Sequence, residues 1–236
     1  MVGFRYSDDV LETFPNTRGG VVYATGLDNT TVSSSLSDLY RVEQEQVRAE
    51  IGDAPLSEIP SIAAWRGTFS RFGVKPTQYR SATEALLRRL SKQGDIPSIN
   101  PLVDLANLVS VRHRLPVAVF DQRAATGVTT VRFAGGHEPF TDLGADAVTN
   151  PEPGEVIFAD EADLVSARRW CWRQSSQSAA RPTTIEALVT VEGQHDDAED
   201  DVKNATEDLL DLFGRFQTGA DLRSGFLSPQ ARYFLP

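Results

Sequence analysis

The chain has 236 residues, of which 40% are hydrophobic, a composition typical of a globular protein with one sizeable core. No run of about 20 apolar residues predicts a membrane-spanning helix, and residues 1–10 carry Arg5, Asp8 and Asp9 instead of the apolar stretch of a secretory signal. The net charge is -10, and the single cysteine, Cys171, argues against an internal disulfide or a cysteine-based zinc site and favours a cytoplasmic location.

The spacing of apolar residues predicts helices in the first half of the chain and again near its end. The predicted helices cover residues 36–52, 57–72, 81–92, 101–113 and 200–216. Ser81 and Glu84 fit a capping box at the start of the third helix, and Asn100 is suited to cap the fourth.

A period of two predicts strands, most of them in the second half of the chain. The predicted strands cover residues 20–24, 117–121, 129–134, 156–160, 167–173 and 185–191. Residues from Gly219 onward show no clear period. The predicted elements are helices first, then mostly strands, and then a closing helix. This order predicts the α+β fold class rather than a regular βαβ alternation.

The charge is unevenly distributed along the chain. Residues 61–135 hold eleven basic and four acidic side chains, whereas residues 1–60 hold four basic and ten acidic, and residues 136–236 hold eight basic and nineteen acidic. A basic segment in an acidic protein indicates either a local anionic partner or ion pairing with the acidic flanks. The excess of arginine over lysine is typical of proteins from a high-salt cytosol, and a high-GC codon bias produces the same excess.

Several polar residues lie within otherwise apolar segments. Asn100, Asp104 and Asn107 surround the start of the fourth predicted helix, where they either form part of a site or cap the helix and satisfy nearby backbone groups. Gly135 and Gly136 follow a predicted strand and allow either a hairpin turn or close approach to a ligand. The three histidines are too scattered to predict a metal site, and no cofactor motif is present.

The segment from Arg168 to Gln174 combines arginines with two tryptophans. As a strand, it would direct Trp170, Trp172 and Gln174 to one face and Arg169, Cys171 and Arg173 to the other. That pattern indicates either an aromatic pocket or a core strand flanked by surface arginines.

Read together, these segments resemble the B3/B4 domain, the editing module of the phenylalanyl-tRNA synthetase beta subunit. The matching residues, in chain order, are Asn100, Val103, Asp104, Asn107, Pro116, Phe120, Asp121, Val131, Arg132, Ala134, Gly136, Glu138, Leu143, Gly144, Val156, Ile157 and Asp160. The segments 79–84 and 168–173 resemble the free-standing branch of the family. The resemblance is strongest over residues 65–191 and implies one domain over residues 1–236 with a mixed or antiparallel β core, a helical extension at 1–64 and a closing helix and tail at 198–236.

The resemblance implies binding of the aminoacylated 3′ end of tRNA, with no DNA, membrane or cofactor involved. It implies ester hydrolysis by an activated water, with catalytic roles for Asn100, Gly135, Gly136 and Glu138. The substrate-binding set is Asp104, Asn107, Trp170, Trp172, Gln174 and Glu186. The tRNA-binding set is Arg80, Arg88, Arg89, Arg112, Arg114, Arg168, Arg169 and Arg173.

Two departures from the family pattern bear on specificity. A histidine of the synthetase pocket is matched here by Ala118, and the Arg-Arg-Trp segment replaces an Ala-Gly turn. The function that the resemblance implies is a trans-editing deacylase, and these departures favour a smaller or different amino acid than tyrosine. The alternatives are a module that binds tRNA or an amino acid without catalysis, and an interaction domain that has lost the site.

Overall fold

The computed structural model describes residues 2–236, which form helices packed on two β-sheets. The helices are α1 Asp8–Thr13, α2 Ser34–Ile51, α3 Pro60–Arg71, α4 Ala82–Gln93, α5 Pro101–His113 and α6 Ala198–Phe216. The strands are β1 Gly3–Tyr6, β2 Arg18–Thr25, β3 Val117–Asp121, β4 Val128–Phe133, β5 Phe140–Thr141, β6 Val148–Thr149, β7 Val156–Ala159, β8 Val165–Arg168, β9 Arg173–Gln174, β10 Glu186–Gly193, β11 Asp221–Leu227 and β12 Tyr233–Phe234. The predicted α+β class is confirmed.

The strands form two main sheets with different topology. The first is antiparallel and four-stranded, in the order β11-β2-β10-β3. The second has the order β12-β1-β4-β7-β8-β9 and is mixed, because β1 runs parallel to β4 while the other pairs are antiparallel. A small hairpin of β5 and β6 extends beside them.

The four-stranded sheet lies between two apolar clusters, because its side chains alternate from face to face. Val189 and Val22 pack with α2, α4, α5 and α6 in one cluster. Leu188 and Val21 face the opposite way, onto the six-stranded sheet and α3. This second cluster is rich in aromatic rings, including Trp170, whose ring contacts Trp65 and Phe14 edge to face.

Side-chain caps fix the starts of the helices that surround the candidate site. The Ser81 hydroxyl accepts a hydrogen bond from the Glu84 amide at the start of α4, which is one half of the predicted capping box, whereas the Glu84 carboxylate pairs with Arg66 instead of the Ser81 amide. Asn100 accepts from the Val103 amide, and Pro101 occupies the first turn of α5. These caps hold the two helices that flank the site.

Both ends of the chain contain strands that the sequence pattern did not indicate. In the segment 1–64, predicted as a helical extension, β1 joins the six-stranded sheet without having been predicted, whereas β2, which contains the strand predicted over residues 20–24, joins the four-stranded sheet. The tail, predicted to lack regular structure, forms β11 along β2 and β12 along β1. Within residues 2–236, no helix is both long and apolar enough to cross a membrane.

The predicted strand over residues 167–173 is wrong beyond Arg168. Arg169 and Trp170 adopt positive φ angles of 44° and 58°, so the chain turns there instead of continuing as a strand. Left-handed backbone is costly for residues other than glycine. The turn buries Trp170 in the core while Trp172 remains partly exposed, so the two rings do not share one face as predicted.

Candidate functional site

A cavity of about 120 Å³ opens at the edge of the four-stranded sheet. It lies between α5, strand β3 and the segment 167–174 that contains the strained turn. Most of its wall is apolar and comes from residues such as Val103, Ala106, Ala118 and Phe158. A cavity of this kind, with a few polar groups among apolar ones, is typical of a site for a small organic group.

The main ionisable group in the cavity wall is the carboxyl of Glu192, which is 2% exposed. The Tyr6 hydroxyl and the Trp170 indole N–H both donate to its Oε1, at 2.7 and 2.9 Å. Its other oxygen accepts no hydrogen bond from residues 2–236. Burial raises the pKa of Glu192 to about 7, although the two donors partly offset that effect.

Two further polar groups of the wall lack a charge. The Thr190 hydroxyl is buried and has no hydrogen-bond partner among the described residues, which leaves it free to bond a ligand atom. Burial raises the pKa of the Cys171 thiol well above its usual value, and the nearby Glu192 adds to the shift. The thiol therefore stays protonated at neutral pH and is a poor nucleophile.

The strained turn at Arg169 and Trp170 connects the interior of the cavity to its mouth. Its inward residue, Trp170, donates to Glu192. Its outward residue, Arg169, stacks on the rings of Tyr79 and Trp172, at 4.0 and 4.6 Å from their centroids. The turn thus fixes the position of Glu192 inside and of Trp172 at the rim.

A shallow surface groove of about 420 Å³ adjoins the cavity and shares Trp172 and Arg173 with it. We call it the basic groove. Its lining residues are Gln78, Arg80, Ala85, Arg88, Arg89, Lys92, Gln93, Trp172 and Arg173. Five of these side chains are cationic, and none of the nine carries a carboxylate.

Some residues of the predicted substrate-binding set meet at the cavity. Asn107, Trp170, Trp172 and Gln174 all line it. The Gln174 amide nitrogen donates to the carbonyl oxygens of Val119 and Ser178, which ties the mouth of the cavity to strand β3.

The predicted substrate-binding residues Asp104 and Glu186 do not line the cavity. Asp104 is fully buried and accepts hydrogen bonds from the Ser98 hydroxyl and the Ile99 amide, so it organises the loop before α5. Burial raises its pKa, and those hydrogen bonds oppose the shift. Glu186 accepts a hydrogen bond from the Tyr23 hydroxyl at the far end of β10.

The structure does not assemble the predicted catalytic set. Asn100 caps α5 and donates to the Ala180 carbonyl, which is the capping role left open by the sequence. The Glu138 carboxylate accepts from the amides of Gly135 and Gly136 and from Arg132, so those amides are already occupied. None of Asn100, Gly135, Gly136 and Glu138 lines the cavity.

The Glu138 carboxylate stabilises the turn that follows β4. Burial alone would raise its pKa, but the hydrogen bonds from the Gly135 amide, from Arg132 and from the Gly136 amide lower it to about 2. The prediction that the two glycine amides hold a reacting water is therefore corrected, because they hold this side chain instead.

The predicted tRNA-binding arginines divide into two groups. Arg80, Arg88, Arg89 and Arg173 line the basic groove, and Arg169 lies beside it, stacked on Trp172. The other three lie outside the groove and are held by carboxylates: Arg112 by Glu43 and Asp208, Arg114 by Glu50, and Arg168 by Glu155. Within the first group the ion pairs are longer, from 3.6 to 3.7 Å, and Arg88 has none with residues 2–236. Ion pairing with the acidic flanks thus explains Arg112 and Arg114 of the basic segment, whereas Arg80, Arg88, Arg89 and Lys92 of that segment line the basic groove.

The cavity residues Glu192, Thr190 and Cys171 were missing from the predicted site. The strand predicted over residues 185–191 stopped one residue before Glu192, although strand β10 continues to Gly193 and is buried from Ala187 onward. The sequence did contain one indication that Glu192 is buried, because a mostly apolar run leads directly into it. Across residues 2–236, no group of three or more histidine, cysteine or acidic side chains is arranged to bind a metal ion.

Comparison with known proteins identifies the family to which this fold and cavity belong. The B3/4 domain family matches residues 64–211 of the chain, which therefore belongs to that family. This matched region contains α4, α5, the cavity and the basic groove.

Two similar proteins carry the same subunit name. The phenylalanine–tRNA ligase beta subunit of Shewanella oneidensis is 34% identical over 94 residues, which are 40% of this chain and 12% of that protein. The crystal structure of an N-terminal fragment of the phenylalanyl-tRNA synthetase beta subunit from Pyrococcus horikoshii is similar with a TM-score of 0.49 and 13% identity. That match covers 94% of this chain and 50% of the fragment. The chain thus spans only a small part of the curated relative.

Proposed function

We propose that the protein is a trans-editing deacylase, which hydrolyses the ester between a wrongly attached amino acid and the 3′ end of a tRNA. The observation that carries the proposal is the cavity, because its size and apolar wall suit an amino-acid side chain and its buried polar groups suit recognition. Membership of the B3/4 family and similarity to a phenylalanine–tRNA ligase beta subunit support tRNA as the carrier.

In the proposed reaction, the side chain of the aminoacyl group enters the cavity and the ester stays at the mouth. Glu192 and Thr190 would meet the enclosed side chain. A water molecule attacks the ester carbonyl carbon, and the tetrahedral intermediate collapses to release the free amino acid and a tRNA hydroxyl. The proton lost by the water is returned to that leaving hydroxyl. Asn107 and Arg173 line the cavity and carry side-chain N–H groups that would donate to the developing oxyanion.

A panel of tRNAs, each charged with a different amino acid, tests this proposal. Release of amino acid is followed over time with the wild type, with Asn107→Ala, and with Asn204→Ala on the exposed face of α6 as the matched control. We expect hydrolysis of at least one mischarged tRNA, slowed about 100-fold in Asn107→Ala and unchanged in the control. If every charged tRNA survives incubation with the wild type, the deacylase proposal is wrong.

A second candidate, a non-catalytic module that binds tRNA or an amino acid, is favoured by one observation. Among the described residues that line the cavity there is no histidine, the Cys171 thiol is protonated, and the Thr190 hydroxyl bonds no base, so no hydrogen-bonded nucleophile–base pair is present. This candidate predicts that the protein binds a charged tRNA more tightly than the uncharged form and releases no amino acid.

A further inference from the structure

The basic groove differs in charge from the rest of the molecule. Five cationic side chains line it with no carboxylate among them, in a chain whose net charge is -10. The positive potential of the groove attracts a polyanion to this face, while the negative charge of the rest of the molecule repels it from other faces. The groove is therefore the face on which an anionic partner binds most favourably.

Of the five groove cations, two form no salt bridge with residues 2–236, two form exposed ones, and the fifth, Arg80, lies 3.6 Å from the buried Glu84. Arg88 and Lys92 lie on the exposed face of α4 and form no salt bridge with residues 2–236. Arg89 pairs only with the exposed Asp95, at 3.7 Å. Arg173 lies 3.6 Å from Asp142, with nearly half of its side chain exposed. Exposed pairs of this kind are weak and are readily exchanged for a phosphate.

An aromatic platform lies where the groove meets the cavity. Trp172 is partly exposed, lines both spaces, and is held by the edge of the Tyr79 ring at 4.9 Å. Arg169 and Arg173 lie over the same indole. A row of cations that ends at a partly exposed indole is the combination that single-stranded nucleic acids use, through phosphate contacts and base stacking. An acidic peptide would use the cations but not the indole.

From these contacts we infer that the basic groove binds the single-stranded 3′ end of an RNA, with one base stacked on Trp172 at the mouth of the cavity. The inference rests on the proposed function, because it supplies the path by which an RNA-linked group reaches the cavity. Phosphates contact Arg88 and Lys92 on α4, and the stacked base displaces the exposed Arg173 from the indole. Gln78 and Gln93 also line the groove and carry amides that can bond base edges.

Binding of a single-stranded RNA of about eight nucleotides tests the inference directly. Fluorescence anisotropy of the labelled RNA gives the affinity across a salt series. Arg88→Gln with Lys92→Gln removes two groove cations, and Arg41→Gln with Arg223→Gln removes two exposed arginines that do not line the groove. Thermal unfolding of all variants checks that each one is folded.

We expect the groove variant to bind about fivefold to tenfold more weakly at low salt, with a salt dependence shallower by about 1.4 in log–log slope. The matched control should differ from the wild type by less than about twofold. Equal loss in both variants would mean that only net charge matters, and no loss in the groove variant would place the RNA elsewhere. Either result, or no RNA binding by the wild type, overturns the inference.

The tryptophans provide the second readout. Trp65 and Trp170 are buried, so a change in indole fluorescence on binding reports on Trp172. We expect RNA to change this signal, Trp172→Leu to abolish the change and weaken binding about tenfold, and Trp172→Phe to retain most of the affinity. If polyglutamate gives the same fluorescence change and the same affinity as RNA, the partner is an acidic protein instead.

Failure of the groove inference can be distinguished from failure of the deacylase proposal. A protein that hydrolyses no charged tRNA but loses RNA binding in the groove variant would disprove the deacylase alone. A protein that hydrolyses charged tRNA but binds RNA equally well in the groove variant would disprove the groove alone.

Discussion

Replacing Glu192 by glutamine isolates the effect of its burial on stability. The amide keeps an oxygen that can accept from Tyr6 and Trp170, so the packing is retained. The folded-state pKa of about 7 lies above the ordinary value of 4.5. Between these two values the folded protein holds a proton that the unfolded chain has released, so the free energy of unfolding falls as pH rises from 4.5 to 7. The difference in pKa corresponds to about 3 kcal/mol.

Urea unfolding, followed by circular dichroism from pH 4.5 to 8, measures this contribution. Relative to the wild type, Glu192→Gln should gain about 3 kcal/mol of stability across that range. Glu12→Gln, which removes an exposed carboxyl on α1, is the matched control and should show no such trend. If the difference between Glu192→Gln and the wild type is constant with pH, burial does not raise the pKa of Glu192 and the reasoning is wrong.

Three further substitutions test the surroundings of the site. Glu138→Gln should lower the free energy of unfolding by about 2 kcal/mol at pH 7. The wild type should lose stability as pH falls from 4.5 to about 2, because Glu138 is protonated over that range, and the variant should not show this loss. Urea unfolding in acid measures both. An equal acid dependence in the two proteins would show that the pKa of Glu138 is not lowered. Thr190→Val should change stability by less than about 1 kcal/mol, because the buried hydroxyl has no partner to lose; a large loss measured by calorimetry would show that a partner exists. Trp170→Phe should lower the free energy of unfolding by about 3 kcal/mol, because it removes the hydrogen bond to Glu192 and leaves a void. Trp172→Phe should lower it by less than about 1 kcal/mol. Equal losses in denaturant titrations would contradict the different burial of the two rings.

Local signals in the sequence were sufficient for most of the elements that support the site. Helix α5 begins and ends at the predicted residues, because Asn100 and Pro101 define its start and the apolar spacing defines its length. Strand β3 was likewise predicted correctly, since the sharp change to a period of two follows Pro116. These features depend on residues close to one another in the chain.

The features missed by the sequence depend on contacts between distant residues. Strand β1 has four residues and is defined by pairing with β4 and β12, more than 100 residues away. The turn at Arg169 and Trp170 is held by the bond from the Trp170 indole to Glu192 and by stacking on Tyr79. No residue in the turn itself favours positive φ. Glu192 became a candidate only when β10 was seen to line the cavity.

In the proposed function, the cavity holds the aminoacyl group while the RNA remains outside it. Ala118→Phe places a large side chain in the cavity wall at a distance from the basic groove. The decisive measurement is the rate of amino-acid release from the best charged tRNA, together with RNA affinity, for the wild type and Ala118→Phe. That arrangement predicts that release falls at least about 100-fold while RNA affinity is retained. Release that is unaffected by filling the cavity would contradict it.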